Sequence, residues 1–225
     1  MSTEVSQSLS IAIMVQRALN LVDERLVDHG LRVALSVDAM LERSGNLCAD
    51  DRRDALLLAL FHDIGAYRTE EIDRMVDFET ESVWEHSVYG YLFLRELSPL
   101  SRLSEAVLYH HLPFGRFDGI DPVVAHIAQV IHVADRVDVF ALSHPDGTRE
   151  QLYLQLEQAK GALLAPDAVD LFLETDKAVG PGGLVCENAG IERLLGAYPI
   201  PDGDASAFLK MLVHVIDFRS RHTVA

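Results

Sequence analysis

Apolar positions recur at helical spacing along most of the first 176 residues, and they divide the chain into segments of one helix each. Over residues 8 to 43 the pattern Ile11, Met14, Val15, Leu19, Val22, then Val33, Ala34, Val37, Met40 and Leu41 is interrupted only near His29-Gly30, as in two helices or one bent helix. Ser44-Gly45-Asn46 closes that segment, and Asp50-Asp51 suit the N-terminus of a helix running on to Asp63. The polar stretch from Arg68 to Glu81 reads as a loop with a short helix. Further helices are expected over about 83 to 97, stopping before Pro99, over 103 to 111, closed by Pro113, and from Pro122, at a first helical position, through Phe140. Two more are expected over about 149 to 163 and 167 to 176, separated by Pro166. No period-2 alternation competes with these readings, so the fold class is all-α, a helical bundle.

Beyond residue 176 the texture changes. Gly180-Pro181-Gly182-Gly183 and Tyr198-Pro199-Ile200-Pro201-Asp202-Gly203 read as a linker or irregular extension, followed by an amphipathic helix from Ala207 to about Arg219. Residues 1–176 are therefore read as one domain and 177–225 as a C-terminal extension. Val215-Ile216-Asp217-Phe218-Arg219 faintly echoes Leu21-Val22-Asp23-Glu24-Arg25. The echo suggests a natural protein that continues into a further domain, or a partner reached through the extension.

Composition adds boundaries. A 225-residue chain with 49% hydrophobic residues can build a sizeable core. Its net charge of −16 argues against duplex nucleic acid or an anionic membrane as partner. A small anionic substrate stays open, because a bound metal inverts the local field. Cys48 and Cys186 suggest neither a disulfide framework nor a cysteine zinc site. With no signal peptide and no apolar run of membrane-spanning length, the expected location is the cytoplasm.

The chemistry lies where apolar runs end in polar groups. Leu56 to Phe61 leads straight into His62-Asp63, and Asp135 is embedded in Val130-Ile131-His132-Val133-Ala134. A buried carboxylate or imidazole in such a setting needs a partner. His62 follows His29 by 33 residues, His86 and His110 come at successive intervals of 24, and Asp135 lies 24 beyond His111. That interval is one helix plus a turn, so every group can return to one level of a bundle. Imidazoles mixed with carboxylates suit iron, manganese, nickel or zinc, and two such ions can activate water and clamp a phosphoryl group. His132 is one turn from Asp135, behind the ligands or in a capping or surface role, while His126, His144, His214 and His222 have no convergent partner. Gly90, one turn after His86, either admits a neighbouring backbone beside that ligand or serves plain helix packing. Arg116 and Arg136 are the nearest cations in sequence, each available for substrate phosphate or for a salt bridge with an acidic neighbour.

This ordered series resembles the HD superfamily of metal-dependent phosphohydrolases, and within it the HD-GYP branch, which hydrolyses cyclic diguanylate. His29-Gly30-Leu31-Arg32-Val33-Ala34, His62-Asp63-Ile64-Gly65, His86-Ser87-Val88-Tyr89-Gly90, His110-His111 and Ala134-Asp135-Arg136-Val137-Asp138 carry the resemblance. Gly161-Ala162-Leu163-Leu164-Ala165-Pro166 with Phe172-Leu173 is similar to the closing segment, so about residues 15 to 175 are covered. The resemblance implies two divalent metals, iron or manganese ahead of nickel or zinc. Asp63 would bridge them, and His29, His62, Asp135 and some of His86, His110 and His111 would complete their coordination, with an activated water attacking phosphorus. His111 would ligate or stand behind the ligands in the reaction.

Three departures bear on this expectation. Ala66 stands where the family carries lysine, leaving Arg68 as a substitute for holding phosphate. Leu112-Pro113-Phe114-Gly115-Arg116-Phe117-Asp118-Gly119-Ile120-Asp121-Pro122 replaces the Gly-Tyr-Pro signature. A third metal would need a carboxylate at Arg25, and Glu24 and Asp28 are out of phase with it. The expected activity is phosphodiester hydrolysis of cyclic diguanylate or a related nucleotide phosphoester. Its competitors are a non-catalytic nucleotide- or metal-binding signalling domain, which the lost lysine and Gly-Tyr-Pro favour, and a di-iron oxygenase on the same scaffold, which the paired histidines disfavour.

Overall fold

The computed structural model describes residues 28–66, 84–179 and 202–222. Eight α-helices run through them: α1 (His29–Ser44), α2 (Ala49–Leu60), α3 (Trp84–Leu97), α4 (Glu105–Tyr109), α5 (Pro122–Ser143), α6 (Arg149–Ala159), α7 (Pro166–Val179) and α8 (Asp202–His222). Short 3₁₀ turns at Ser101–Leu103 and Phe114–Arg116 flank α4. No strand occurs among the described residues, so the fold is all-α, as the helical periodicity predicts.

The caps follow local chemistry. Gly45 ends α1 in the left-handed conformation at φ 62° and returns its N–H to the Leu41 carbonyl. Asp121 accepts from the N–H groups of Val123 and Val124, with Pro122 at the first helical position of α5. Thr148 and Gln151 form a reciprocal capping box on α6.

α5 is the central helix. Side chains from Ile127 to Phe140 are almost all buried, and α5 packs against α1, α4, α6 and α7. α2 is buried all round from Asp54 to Leu60 and lies on α1, the behaviour of a helix with no polar face in its second half. α8 lays Phe208, Met211 and Val215 into the core. It packs on α3, where the Phe218 ring meets Tyr89 and Phe93 at centroid distances of 4.9 and 5.3 Å, and on Phe61, 5.9 Å from Phe208.

Several boundaries differ from the sequence expectation, each for a local reason. The segment 103 to 111 is not one helix but a 3₁₀ turn followed by the short α4. α6 stops at Ala159 rather than 163, because Gly161 (φ 82°) turns the chain so that both Leu163 and Leu164 donate to the Ala159 carbonyl. Pro166 does not merely separate two helices; it is the first residue of α7, which continues to Val179, past the domain boundary placed at 176. α8 begins at Asp202, five residues before Ala207. The segments 8 to 27, 68 to 81 and 180 to 201 lie outside the described residues. Among those described, no helix is long and apolar enough to cross a membrane.

Candidate metal centre

Five elements deliver polar side chains to one point. His29 opens α1, His62 and Asp63 sit in the turn that ends α2, His86 lies on α3, His110 and His111 follow α4, and Asp135 lies midway along α5. The turn from Phe61 to Gly65 is held against α3 by two glycines. A Cβ on Gly65 would stand 2.0 Å from the His86 carbonyl oxygen and 2.4 Å from Gly90 N, and one on Gly90 would meet Val107 Cγ1 at 3.2 Å and the His62 carbonyl at 3.4 Å. Backbone touches backbone here, and this contact sets His62-Asp63 beside His86. Of the two roles open to Gly90, close approach beside the ligand is the one observed.

The donor atoms converge in two groups. His29, His62 and Asp135 form one, and Asp63, His86, His110 and His111 the other; within each, one ligand atom per residue lies within 4.8 Å of the rest. Asp63 stands between them. Its Oδ2 is 3.4 Å from His29 Nε2 and 3.3 Å from His62 Nε2, while its Oδ1 is 3.6 Å from His86 Nε2 and 3.9 Å from His110 Nε2. Asp135 Oδ1 is 3.3 Å from His29 Nε2 and 3.9 Å from His62 Nε2.

These distances are too long for hydrogen bonds yet too short for indifference. Among the described residues, nine buried side-chain nitrogen or oxygen atoms lack a hydrogen-bond partner, and eight belong to these seven residues: His29 Nε2, His62 Nε2, both Asp63 oxygens, His86 Nδ1, His110 Nε2, His111 Nε2 and Asp135 Oδ1. Buried polar groups are seldom left unsatisfied, and so many in one place fit a cation that would satisfy them together. The donor set of imidazole nitrogen and carboxylate oxygen is one that first-row divalent ions accept.

The titration behaviour agrees with that fit. Burial alone would lower the His29 pKa, but the carboxylates of Asp135, Asp138 and Asp63 around its ring outweigh it and hold the group well above its ordinary value. His62 is raised on the same balance of burial against Asp63 and Asp135. Burial works against the Asp63 and Asp135 carboxylates, yet His62 beside Asp63, and Arg136 with His29 beside Asp135, hold both below the carboxylate range. His86, His110 and His111 are pushed down, first by burial and then by neighbouring positive charge that their carboxylate neighbours do not outweigh. The shifts run in opposite directions on the two sides of Asp63: the imidazoles of His29 and His62 are raised, and those of His86, His110 and His111 are lowered.

Around these groups lie residues that orient them. His62 Nδ1 donates to the Ala59 carbonyl (2.8 Å) and His110 Nδ1 to that of Val107 (2.6 Å). His29 Nδ1 instead meets Asp138 Oδ2 at 2.7 Å, and Arg32 grips Asp138 through Nε at 2.6 Å and Nη2 at 2.9 Å. Sequence reading gave Asp138 and Arg32 no role of their own. The available signal was phase: Asp138 is one turn from Asp135 on α5, and Arg32 one turn from His29 on α1.

Of the cations considered for substrate, Arg136 is buried and donates to Asp135 Oδ2 through Nε (3.1 Å) and Nη2 (2.6 Å), the salt-bridge alternative. Arg116 is exposed in its 3₁₀ turn, and Arg68 lies outside the described residues. Ala66 is 1% exposed, so the position expected to carry a cation is inside the packed structure. His132 is buried rather than capping or at the surface, its ring edge-on to His111 at 5.6 Å. His144 stacks on Phe140 and His214 is exposed, both away from the cluster; His126 contributes the ninth unpartnered atom and is likewise not among the converging groups. Asp28, just before α1 at φ 60°, is not among the converging groups, and Glu24 and Arg25 lie outside the described residues.

Comparison with known proteins places this site. The chain is 28% identical over 169 residues to the 3'3'-cGAMP-specific phosphodiesterase 1 of Vibrio cholerae serotype O1, a match covering 69% of this chain and 38% of that protein. Its fold is that of the crystal structure of a cyclic GMP-AMP specific phosphodiesterase from V. cholerae, with a TM-score of 0.72 at 14% sequence identity, covering 97% of this chain and 62% of that one. The chain therefore spans well under two thirds of the relative matched by sequence and somewhat under two thirds of the one matched by structure. The HD domain model matches residues 26–139, from just before His29 to just after Asp138, and with every converging histidine and aspartate inside that span the chain belongs to the HD domain family.

Proposed function

We propose that the chain is a metal-dependent phosphodiesterase with two divalent ions, iron or manganese ahead of nickel or zinc, acting on a 3',3'-linked cyclic dinucleotide. The observation that carries the two-ion reading is Asp63. One of its oxygens faces His29 and His62 and the other faces His86 and His110, with no hydrogen bond to either. A carboxylate so placed would serve both ions. His29, His62 and Asp135 would hold one ion, and His86, His110 and His111 the other.

Such ions, when bound, supply Lewis acidity, polarising a phosphoryl oxygen and lowering the pKa of water. The chain's own part is positioning. Fixed Nδ1 hydrogen bonds aim the Nε2 atoms of His62 and His110 inward, and Arg136 occupies Asp135 Oδ2 while Oδ1 faces His29 and His62. The substrate class is supported by the likeness to the V. cholerae enzyme whose name specifies 3'3'-cGAMP. Cyclic diguanylate shares the linkage and differs in one purine, so both belong in the test.

A reading as a binding domain without turnover draws support from Ala66, buried where a phosphate-holding cation was expected, and from Arg136, engaged by Asp135. One experiment separates the two. Protein loaded anaerobically with iron(II) or manganese(II) is given 3'3'-cGAMP, cyclic diguanylate and bis(p-nitrophenyl) phosphate. Hydrolysis that disappears in Asp63→Ala supports the enzyme, and nucleotide binding without hydrolysis selects the binding domain.

A further inference from the structure

The imidazoles of the centre are oriented in two different ways. His62 and His110 each follow a helical turn, so the carbonyl three residues back, Ala59 or Val107, lies where Nδ1 can donate to it. The acceptor is a neutral amide, and the bond fixes the tautomer that leaves Nε2 open. His29 is held differently: it is the first residue of α1 and follows Asp28, which is left-handed at φ 60°. Its Nδ1 goes instead to Asp138 Oδ2 on α5, and the two Asp138 oxygens are gripped in turn by the Arg32 fork from α1.

A carboxylate accepts a hydrogen bond more strongly than an amide carbonyl. It draws the Nδ1 proton toward itself and leaves more electron density on Nε2, which makes the ring a better ligand, as in the carboxylate–histidine–metal arrangements of many sites. Arg32 keeps that carboxylate from turning away and ties α1 to α5 through the same atoms. Resting on the metal-centre reading above, we infer that Asp138, held by Arg32, is the positioning residue that gives His29 its orientation and donor strength, and so sets the affinity of the ion at His29, His62 and Asp135. Asp138 is no ligand itself: both of its oxygens are occupied by His29 and Arg32.

The inference predicts selectivity between the two positions. Removing the Asp138 charge weakens the ion beside His29 and leaves the ion among His86, His110 and His111 nearly as before, since His29 is the imidazole of the centre that Asp138 holds. The variants are Asp138→Asn, which keeps an oxygen acceptor without the charge, Asp138→Leu, which removes the acceptor, and Arg32→Gln, which leaves the His29–Asp138 bond but frees the carboxylate. Manganese(II) and zinc(II) affinities are measured by chelator competition, with the number of ions retained per chain, and melting temperatures are taken with and without metal.

The expected result is one ion unchanged and one weakened roughly 10-fold in Asp138→Asn and about 100-fold in Asp138→Leu, with a smaller loss in Arg32→Gln. The metal-induced rise in melting temperature shrinks in the same order. Wild-type affinity for both ions in Asp138→Asn overturns the inference. A fall in the metal-free melting temperature alone, with the metal-induced rise intact, makes the contact a mere pin between helices and overturns it too. Should Asp138→Leu fail to fold, Asp138→Asn and Arg32→Gln still decide. Wild-type protein that retains no metal would defeat the metal-centre reading itself, a result distinct from either.

Discussion

Replacing Gly65 by alanine adds one methyl group at the point where the His62-Asp63 turn meets α3. The new Cβ would lie 2.0 Å from the His86 carbonyl oxygen and 2.4 Å from Gly90 N. An ordinary van der Waals approach is about 3.5 Å, so turn and helix must part by on the order of 1 Å. Neither neighbour is a flexible side-chain end; both are backbone, and α3 carries His86 itself. Overpacking of this kind costs about 1–3 kcal/mol or more, which for a domain of this size lowers the melting temperature by roughly 3–10 °C. Because Asp63 and His86 move apart together, metal retention should fall as well. Gly90→Ala is the control on the same contact from the other side. Its Cβ would meet the buried Val107 Cγ1 at 3.2 Å and the His62 carbonyl at 3.4 Å, milder contacts than those at Gly65, and about 1 kcal/mol of helix propensity gained in the middle of α3 offsets part of their cost. It should therefore destabilise less than Gly65→Ala and retain more metal. Thermal melts and metal analysis of both purified variants make the comparison. A Gly65→Ala protein that melts and retains metal like the wild type would refute the claim that this backbone contact builds the site.

Three other perturbations follow from the same structure. Arg136→Met takes the guanidinium from the buried Asp135 carboxylate and leaves His29 and His62 as its partial compensation, so it should cost the metal-free protein about 1–3 kcal/mol in urea denaturation, with a smaller loss when metal is present to take the charge. His132 is buried, and burial together with the Arg136 charge lowers its pKa to about 3; between that value and the unfolded value near 6.5 the unfolded chain binds a proton that the native one does not. Stability of the metal-free protein should therefore fall by up to about 1.4 kcal/mol per pH unit as pH drops through that window, and His132→Phe should flatten the slope. Phe208→Ala should cost about 3–5 kcal/mol by emptying the contact with Phe61; an unchanged melting temperature would show that α8 adds nothing to the core.

How much of this was legible in sequence depends on what each feature answers to. The helices and the convergence of histidines and aspartates were legible because periodicity and burial leave marks along the chain. Leu56 to Phe61 could hardly be anything but a buried helix, and a buried helix ending in His62-Asp63 has to satisfy both groups. Boundaries were less legible where one backbone conformation overrides an amphipathic pattern. Leu163 continues the periodicity of α6, yet Gly161 at φ 82° ends the helix before it. The same holds for the start of α8, where Asp202 and Gly203 look like the end of a linker and are the first helical residues.

The charges around the ligands were not legible, because a salt bridge depends on which partner a cation finds and the sequence gives only its neighbours. Arg136 could have faced substrate or an acid, and it lies against Asp135; Arg32 stood only as one residue of the first-histidine stretch, and it holds Asp138. This has a consequence for substrate binding. Both arginines are engaged by carboxylates of the centre, and Ala66 is buried where a lysine was expected. Of the cations considered for a phosphoryl group, only Arg116 is exposed among the described residues. Among the described residues, a dinucleotide carrying two negative charges would then find most of its neutralising charge in the proposed ions, against the background of a −16 chain. On that reasoning, metal-free protein should fail to bind a cyclic dinucleotide and not merely fail to cleave it. Arg116→Ala in the metal-loaded protein should weaken binding only several-fold; titration of metal-free and metal-loaded forms with the same nucleotide checks both, and tight binding to the metal-free form would refute the argument.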